Sequence, residues 1–149
     1  MKKYLFITLA AFFFGLSSAS ADGLDRDRII TKEQLPASAI EFINKNFANN
    51  KISFVKEDRE LFSKNYEVVF SDGIRLECTR NGEWKEVDCR NYEVPANIVP
   101  AAIAKYVSDN YSGVRILQID SDRYDYEVRL SNNLELTFDK SFNIIDIDD

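Results

Sequence analysis

The side chains able to do chemistry in this sequence are carboxylates and two cysteines, because the chain has no histidine. That excludes Ser-His-Asp and Cys-His nucleophiles, imidazole acid–base work and His-ligated zinc. Paired carboxylates could support a hydrolase, and Asp120, Asp122 and Asp125, or Asp146, Asp148 and Asp149, are the clusters it would use. These acids fall in turns and at the C-terminal end, and no insertion suggests a pocket around them. A small carboxylate-dependent envelope hydrolase is therefore the alternative reading. Calcium could take oxygen ligands from Asp22, Asp25 and Asp27 or from the terminal acids. Neither group has the Gly and Glu positions of a calcium loop, so solvated charge is the reading; no metal and no cofactor are expected. None of the 5 glycines builds a phosphate-cradling loop. The excess of 25 Asp and Glu over 19 Lys and Arg speaks against a nucleic-acid partner.

The start of the chain reads as an export signal. Lys2 and Lys3 precede an apolar stretch from Tyr4 to Leu16, and Ala19-Ser20-Ala21 has the small-x-small pattern of a cleavage site. The stretch is shorter than the ~20 residues needed to span a bilayer. Residues 1–21 are thus expected to be removed, leaving 22–29 as an extension. Loss of the two lysines takes the formal charge from −6 to −8. No second long apolar run follows, so a periplasmic or secreted protein without a membrane span is expected.

In that oxidising setting Cys78 and Cys89 are expected to form a disulfide. Geometry raises a difficulty. With Asn81-Gly82 as a two-residue hairpin loop, Cys89 lies opposite Ile74, four residues down the ladder from Cys78. At ~3.3 Å per residue this exceeds the ~7 Å Cα limit for bridging, so a bulge or a chain reversal after Val87 would be required. An intermolecular bridge is the competing outcome.

The elements that must position these groups follow from hydrophobic spacing. Leu35, Ala39, Phe42, Ile43 and Phe47 share one helical face, as do Val99, Ile103, Tyr106, Val107 and Tyr111. Pro36 and Pro100 suit the first helical position, and Thr31 with Gln34 has capping-box spacing for a preceding turn. After each helix the period becomes two: Tyr66, Val68 and Phe70, then Ile74, Leu76 and Cys78; later Tyr126, Val128 and Leu130, then Leu134, Leu136 and Phe138. Residues 65–89 align with 125–149 at a constant offset of 60, and upstream the offset is 64. This predicts an internal duplication. The expected fold is α+β: a tandem repeat of two helix-plus-four-stranded antiparallel units, 30–89 and 94–149, joined by 90–93, with their sheets side by side.

The Leu-Pro or Val-Pro step before an aromatic-bearing helix, the Tyr-Glu-Val strands, the Asp or Asn turn and the Trp84-x-x-Val87-Asp88-Cys89 ending resemble the secreted PepSY-like proteins, grouped with the β-lactamase-inhibitor-like fold. The resemblance implies twin units with a joint concave polar sheet face. It implies protein binding there, possible restraint of a peptidase or other envelope enzyme, and no catalysis. No motif identifies a β-lactamase as the target. The expected partner is an unidentified protein of the periplasm or envelope; a structural envelope component without a discrete ligand is the further alternative.

Strand alternation places Glu67, Val69, Arg75, Glu77 and Thr79, with Glu127, Arg129, Glu135 and Thr137, on that polar face. Their charges would steer and register a partner. Binding also calls for aromatic or Arg anchors, for which Tyr92, Phe142 and Trp84 are the candidates, with Phe62 and Tyr124 in loops. Phe142 stands at a turn tip where residue 82 is glycine.

Overall fold

A computed structural model describes residues 27–59 and 63–149; the expected signal segment, Asp22, Asp25 and Phe62 lie outside them. The described residues form strands β1 (Asp27–Ile30), β2 (Ile52–Arg59), β3 (Lys64–Phe70), β4 (Arg75–Thr79) and β5 (Trp84–Asp88), then β6 (Ile116–Ser121), β7 (Asp125–Leu130), β8 (Glu135–Asp139) and β9 (Ile144–Asp148). Helix α1 (Ala37–Asn46) precedes β2, and α2 (Ala101–Asn110) lies between β5 and β6. The nine strands are antiparallel neighbours in chain order within one sheet.

This corrects the expected pair of helix-plus-four-strand units. The chain is mostly sheet, and β5 pairs directly with β6 through Glu86↔Asp120, Val87↔Ile119 and Asp88↔Gln118. That pairing satisfies the backbone groups that two separate sheets would leave open at their edges. An additional strand, β1, also lengthens the sheet beyond the expected eight.

One side of the sheet carries the core. Ala39 and Ile43 of α1 and Ile103 and Val107 of α2 are buried, as the 3–4 spacing requires, against Val55, Val68, Leu76, Val87, Ile119, Val128, Leu136 and Phe138. Aromatic contacts fix each helix. Phe42 stacks on Trp84 at 6.4 Å, Phe47 meets Phe70 at 5.2 Å, and Tyr106 packs edge-on against Phe138 at 5.3 Å between centroids. Each proline falls one position before its expected place, at the N-cap, where ψ is 146° for Pro36 and 135° for Pro100. Either placement spares a hydrogen bond, because the missing amide is one that a helix start leaves unpaired. Thr31 N–H donates to Gln34 Oε1 at 2.9 Å, closing the short turn before α1.

The strands bend at bulges between Ile52 and Phe54, Glu77 and Cys78, Ile116 and Gln118, and Thr137 and Phe138. The bulge between β4 and β5 sets Cys78 opposite Trp84 and leaves Cys89 beyond the end of β5. The expected disulfide is therefore corrected: both thiols are free and buried in the core. Burial pushes each thiol pKa up to about 12, so neither supplies thiolate at neutral pH. A thiol reagent is expected to leave both cysteines unmodified in the native protein and to label both in urea. Rapid labelling in buffer alone would contradict their burial.

Candidate functional site

The opposite side of the sheet is polar, and no helix among the described residues covers it. Strand alternation directs Asp27 and Ile29 (β1), Phe54, Lys56 and Asp58 (β2), Glu67 and Val69 (β3), and Arg75 and Glu77 (β4) to this side. Beyond them lie Glu86 and Asp88 (β5), Gln118 and Asp120 (β6), Glu127 and Arg129 (β7), Glu135 and Thr137 (β8), and Asp146 and Asp148 (β9). Each pair is held by the register of its strands, so the face is as rigid as the ladder beneath it.

Charge is distributed unevenly. Arg75 Nε donates to Glu67 at 2.9 Å, and Lys56 Nζ lies 3.2 Å from Asp27 and 3.7 Å from Glu67. Arg129 bridges the middle of the sheet, donating to Gln118 Oε1 and to Asp88 Oδ1, each at 3.1 Å. Asp88 is buried, and its charge is compensated by Arg129 and by Arg90, whose Nε lies 3.6 Å from Asp88 Oδ2. Between these pairs lies a depression of about 230 Å³, walled by Glu77 and Glu86, Asp120 and Glu127, Asp122 and Asp125, with Ser121 and Lys85. Lys85 is engaged by Glu77 at 2.7 Å.

The row Glu86–Asp120–Glu127 therefore faces mainly other carboxylates across β5, β6 and β7. Burial first, then the charge of Glu86, pushes the Asp120 carboxyl up to about 7, against the opposing effect of the Gln118 amide. Burial and then Glu135 raise Glu127 to about 7 as well, and burial with Glu77 raises Glu86. Asp122 differs: despite partial burial, the backbone amides of Tyr124 and Asp125 hold its carboxyl below the usual range.

Of the residues expected on the face, Glu67, Arg75, Glu77, Glu127, Arg129 and Glu135 share it, and Glu77 and Glu127 line the depression. The aromatic candidates lie elsewhere. Trp84 is half-buried against Phe42 on the helix side. Phe142 stacks on Tyr126 at 5.6 Å, and Lys140 lies 3.8 Å over the same Tyr126 ring. Tyr92 borders a cleft of about 380 Å³ beside Asn46 and Phe47 at the C-terminal end of α1. Tyr124 is exposed in the β6–β7 connection. Asp120, Asp122 and Asp125, weighed above as hydrolase acids, do converge in the depression, whereas Asp146 and Asp148 stand on the edge strand. Sequence reasoning passed over Glu86, and it weighed Asp120 as a hydrolase acid in a turn without placing it on the polar face. Both flank buried apolar residues, Val87 and Ile119, so period-two alternation would have turned them outward.

A family model described as "Putative beta-lactamase-inhibitor-like, PepSY-like" matches residues 64–146, from β3 into β9. The chain belongs to the PepSY-like family. Solved structures agree with it. A "putative periplasmic protein from DUF2874 family" of Bacteroides vulgatus is 45% identical with a TM-score of 0.82, covering 85% of this chain and 100% of its own. A "putative calcium-regulated periplasmic protein" of Bacteroides thetaiotaomicron has the same identity, TM-score and coverages. A second Bacteroides vulgatus protein, a periplasmic one "of unknown function" by its description, is 38% identical with a TM-score of 0.79, over 83% of this chain and 99% of its own. No curated protein matches. These neighbours place the PepSY-like chain in the periplasm. No helix among the described residues is long and apolar enough to cross a membrane.

Proposed function

We propose that this PepSY-like protein is a non-enzymatic binding module of the periplasm. Its polar sheet face receives a cationic segment of a partner protein, in the inhibitor-like manner that the family description names, with an envelope enzyme such as a peptidase as the fitting target. One observation carries the reading. The uncovered face holds a depression in which Glu86, Asp120 and Glu127 adjoin one another while the nearby cations Arg75, Arg129 and Lys85 are already paired. A cation entering there meets carboxylates whose mutual repulsion it relieves. Ion pairs elsewhere on the face fix register.

The reading is tested with octalysine as a defined probe. The variant carrying Glu86→Gln, Asp120→Asn and Glu127→Gln is expected to bind it at least tenfold more weakly, and wild-type binding is expected to tighten from pH 6 to pH 8 as the raised carboxyls ionise. In parallel, cross-linking in periplasmic extract compares wild type with a variant reversed at Arg75, Glu77, Arg129 and Glu135. Equal octalysine affinity in wild type and the neutralised variant, or equal capture by the charge-reversed one, would remove the face from the proposal.

The same depression gives a second reading its footing. One neighbour is described as calcium-regulated, and six carboxylates line this depression. Among the described residues no three of them form a ready-made metal site, so calcium would act as a competitor of the cationic partner. Millimolar calcium is then expected to weaken octalysine binding more than sodium of equal ionic strength does.

A further inference from the structure

Among the described residues the sheet ends in an open edge at β9, the last strand in the order. The direction of its backbone groups follows from the ladder. At the β7–β8 turn Leu130 N–H donates to Leu134 O at 2.8 Å. Hydrogen-bonded pairs alternate along an antiparallel ladder, so the next such pair is Val128↔Leu136, and Leu136 directs its N–H and C=O at β7. Ile147 faces Leu136 across the β8–β9 ladder and therefore points its own N–H and C=O away from the sheet. In agreement with this, the Ile147 amide donates to the side chain of its neighbour Asp146, at 3.0 Å to Oδ1.

Two apolar side chains accompany that edge. Ile145 is 59% exposed and Ile147 is 48% exposed, the highest exposures of any isoleucines in the sheet after Ile29. Acids alternate with them: Asp146 and Asp148 lie on the polar face, and Asp149 follows. A second copy fits badly. Antiparallel self-pairing centred on Ile147 sets Asp146 opposite Asp148 of the other chain, and centring on Asp146 or Asp148 sets each opposite itself. Like charges directly opposite destabilise a strand pair.

We propose that β9 is a docking edge for an extended segment of a partner protein in which Lys or Arg alternates with apolar residues, added as a tenth strand. The basic side chains would lie opposite Asp146 and Asp148 on the polar face. The apolar ones would cover Ile147 on the core side, and the backbone would take over the Ile147 amide from Asp146. Main-chain bonds supply affinity in such an addition, and alternate side chains supply selectivity.

The test uses an alternating lysine–valine heptapeptide and a control of equal charge in which the central valine is proline. Anisotropy titration is expected to show at least tenfold tighter binding of the uninterrupted peptide. Ile147→Pro removes an outward amide, a loss that an edge strand tolerates, together with the exposed side chain the peptide would cover, and is expected to abolish the preference. Should that variant fail to fold, hydrogen exchange on wild type decides: the alternating peptide is expected to slow exchange of the Ile147 amide at least tenfold. Equal affinity for both peptides, a preference that survives Ile147→Pro, or an Ile147 amide that the peptide does not protect would each overturn the proposal. So would dimers of the free protein paired through β9. Octalysine binding at the depression is unaffected by Ile147→Pro if the face reading holds, so the two proposals fail separately.

Discussion

Replacing Asp120 by asparagine is expected to stabilise the protein at pH 8 by about 2 kcal/mol and to remove much of its loss of stability between pH 5 and pH 8. In the fold Asp120 lies between Glu86 and Glu127 on the neighbouring strands, and its carboxyl titrates near 7. In the unfolded chain it titrates near its ordinary value of 3.8. Between those pH values the folded protein binds a proton that the unfolded chain has released. Stability is therefore greatest at the acid end of this window and falls as pH rises through 7. A shift of this size corresponds to about 4 kcal/mol without screening. The depression is open to water and the side chain only half-buried, so about half of that is the expected effect. Asparagine keeps the shape, removes the charge, and leaves an oxygen for the Gln118 amide, which now donates at 2.9 Å. Glu127, also raised to about 7, contributes in the same direction and retains a smaller slope in the variant. Glu57 and Asp122 are held below their ordinary values, so their effects appear only at more acid pH. Urea unfolding at both pH values measures the change; a variant less stable than wild type at pH 8 would show that the carboxylates are not in conflict.

The acid row was half legible. Alternation in Tyr66–Phe70 and Tyr126–Leu130 sorts Glu67 from Val68 and Glu127 from Val128, because each strand has one apolar face. What alternation does not contain is the neighbour across the ladder. Asp120 meets Glu86 only because β5 and β6 pair, and those residues are 34 positions apart, with α2 between them. The same gap hid the single sheet: similar local patterns in 30–89 and 94–149 describe strands but not whether two sheets merge. Strand β1 was missed for a related reason, since only Ile30 of its four residues is buried and β2 begins more than twenty residues later. Residue type misled at the aromatics. A Trp beside a turn and a Phe at a turn tip read equally well as anchors or as packing, and here rings of Phe42 and Tyr126 stand within stacking range. Glu57 left no signal at all. It is a buried carboxylate on the core side, held by Lys64 at 2.7 Å and by Arg59.

The largest loss from a single added methyl is expected at Gly82. This residue turns the chain from β4 into β5 with φ of +83°, and its turn rests on the first turn of α1, where Ser38 Oγ donates to the carbonyl of Asn81 at 2.6 Å. A Cβ at residue 82 would lie 2.3 Å from Ser38 Oγ, 2.8 Å from the Ala39 nitrogen and 2.8 Å from Pro36 Cβ. The serine could rotate away, but the Ala39 backbone and the proline ring cannot move without displacing the start of the helix. Gly82→Ala is therefore expected to cost about 3 kcal/mol: roughly 1 for the left-handed backbone and the remainder for overpacking. Gly113 supplies the control, since its φ is +76° and nothing lies within 4 Å of the position its Cβ would take. Gly113→Ala should cost only the backbone part, about 1 kcal/mol. Sixty residues after Gly82, Phe142 holds φ of +64° and carries a full side chain, directed onto Tyr126. A glycine is thus required at residue 82 by what the turn touches, and the left-handed conformation alone does not demand it. Urea midpoints of the two alanine variants separate these contributions; equal losses would mean that the hairpin does not press on the helix.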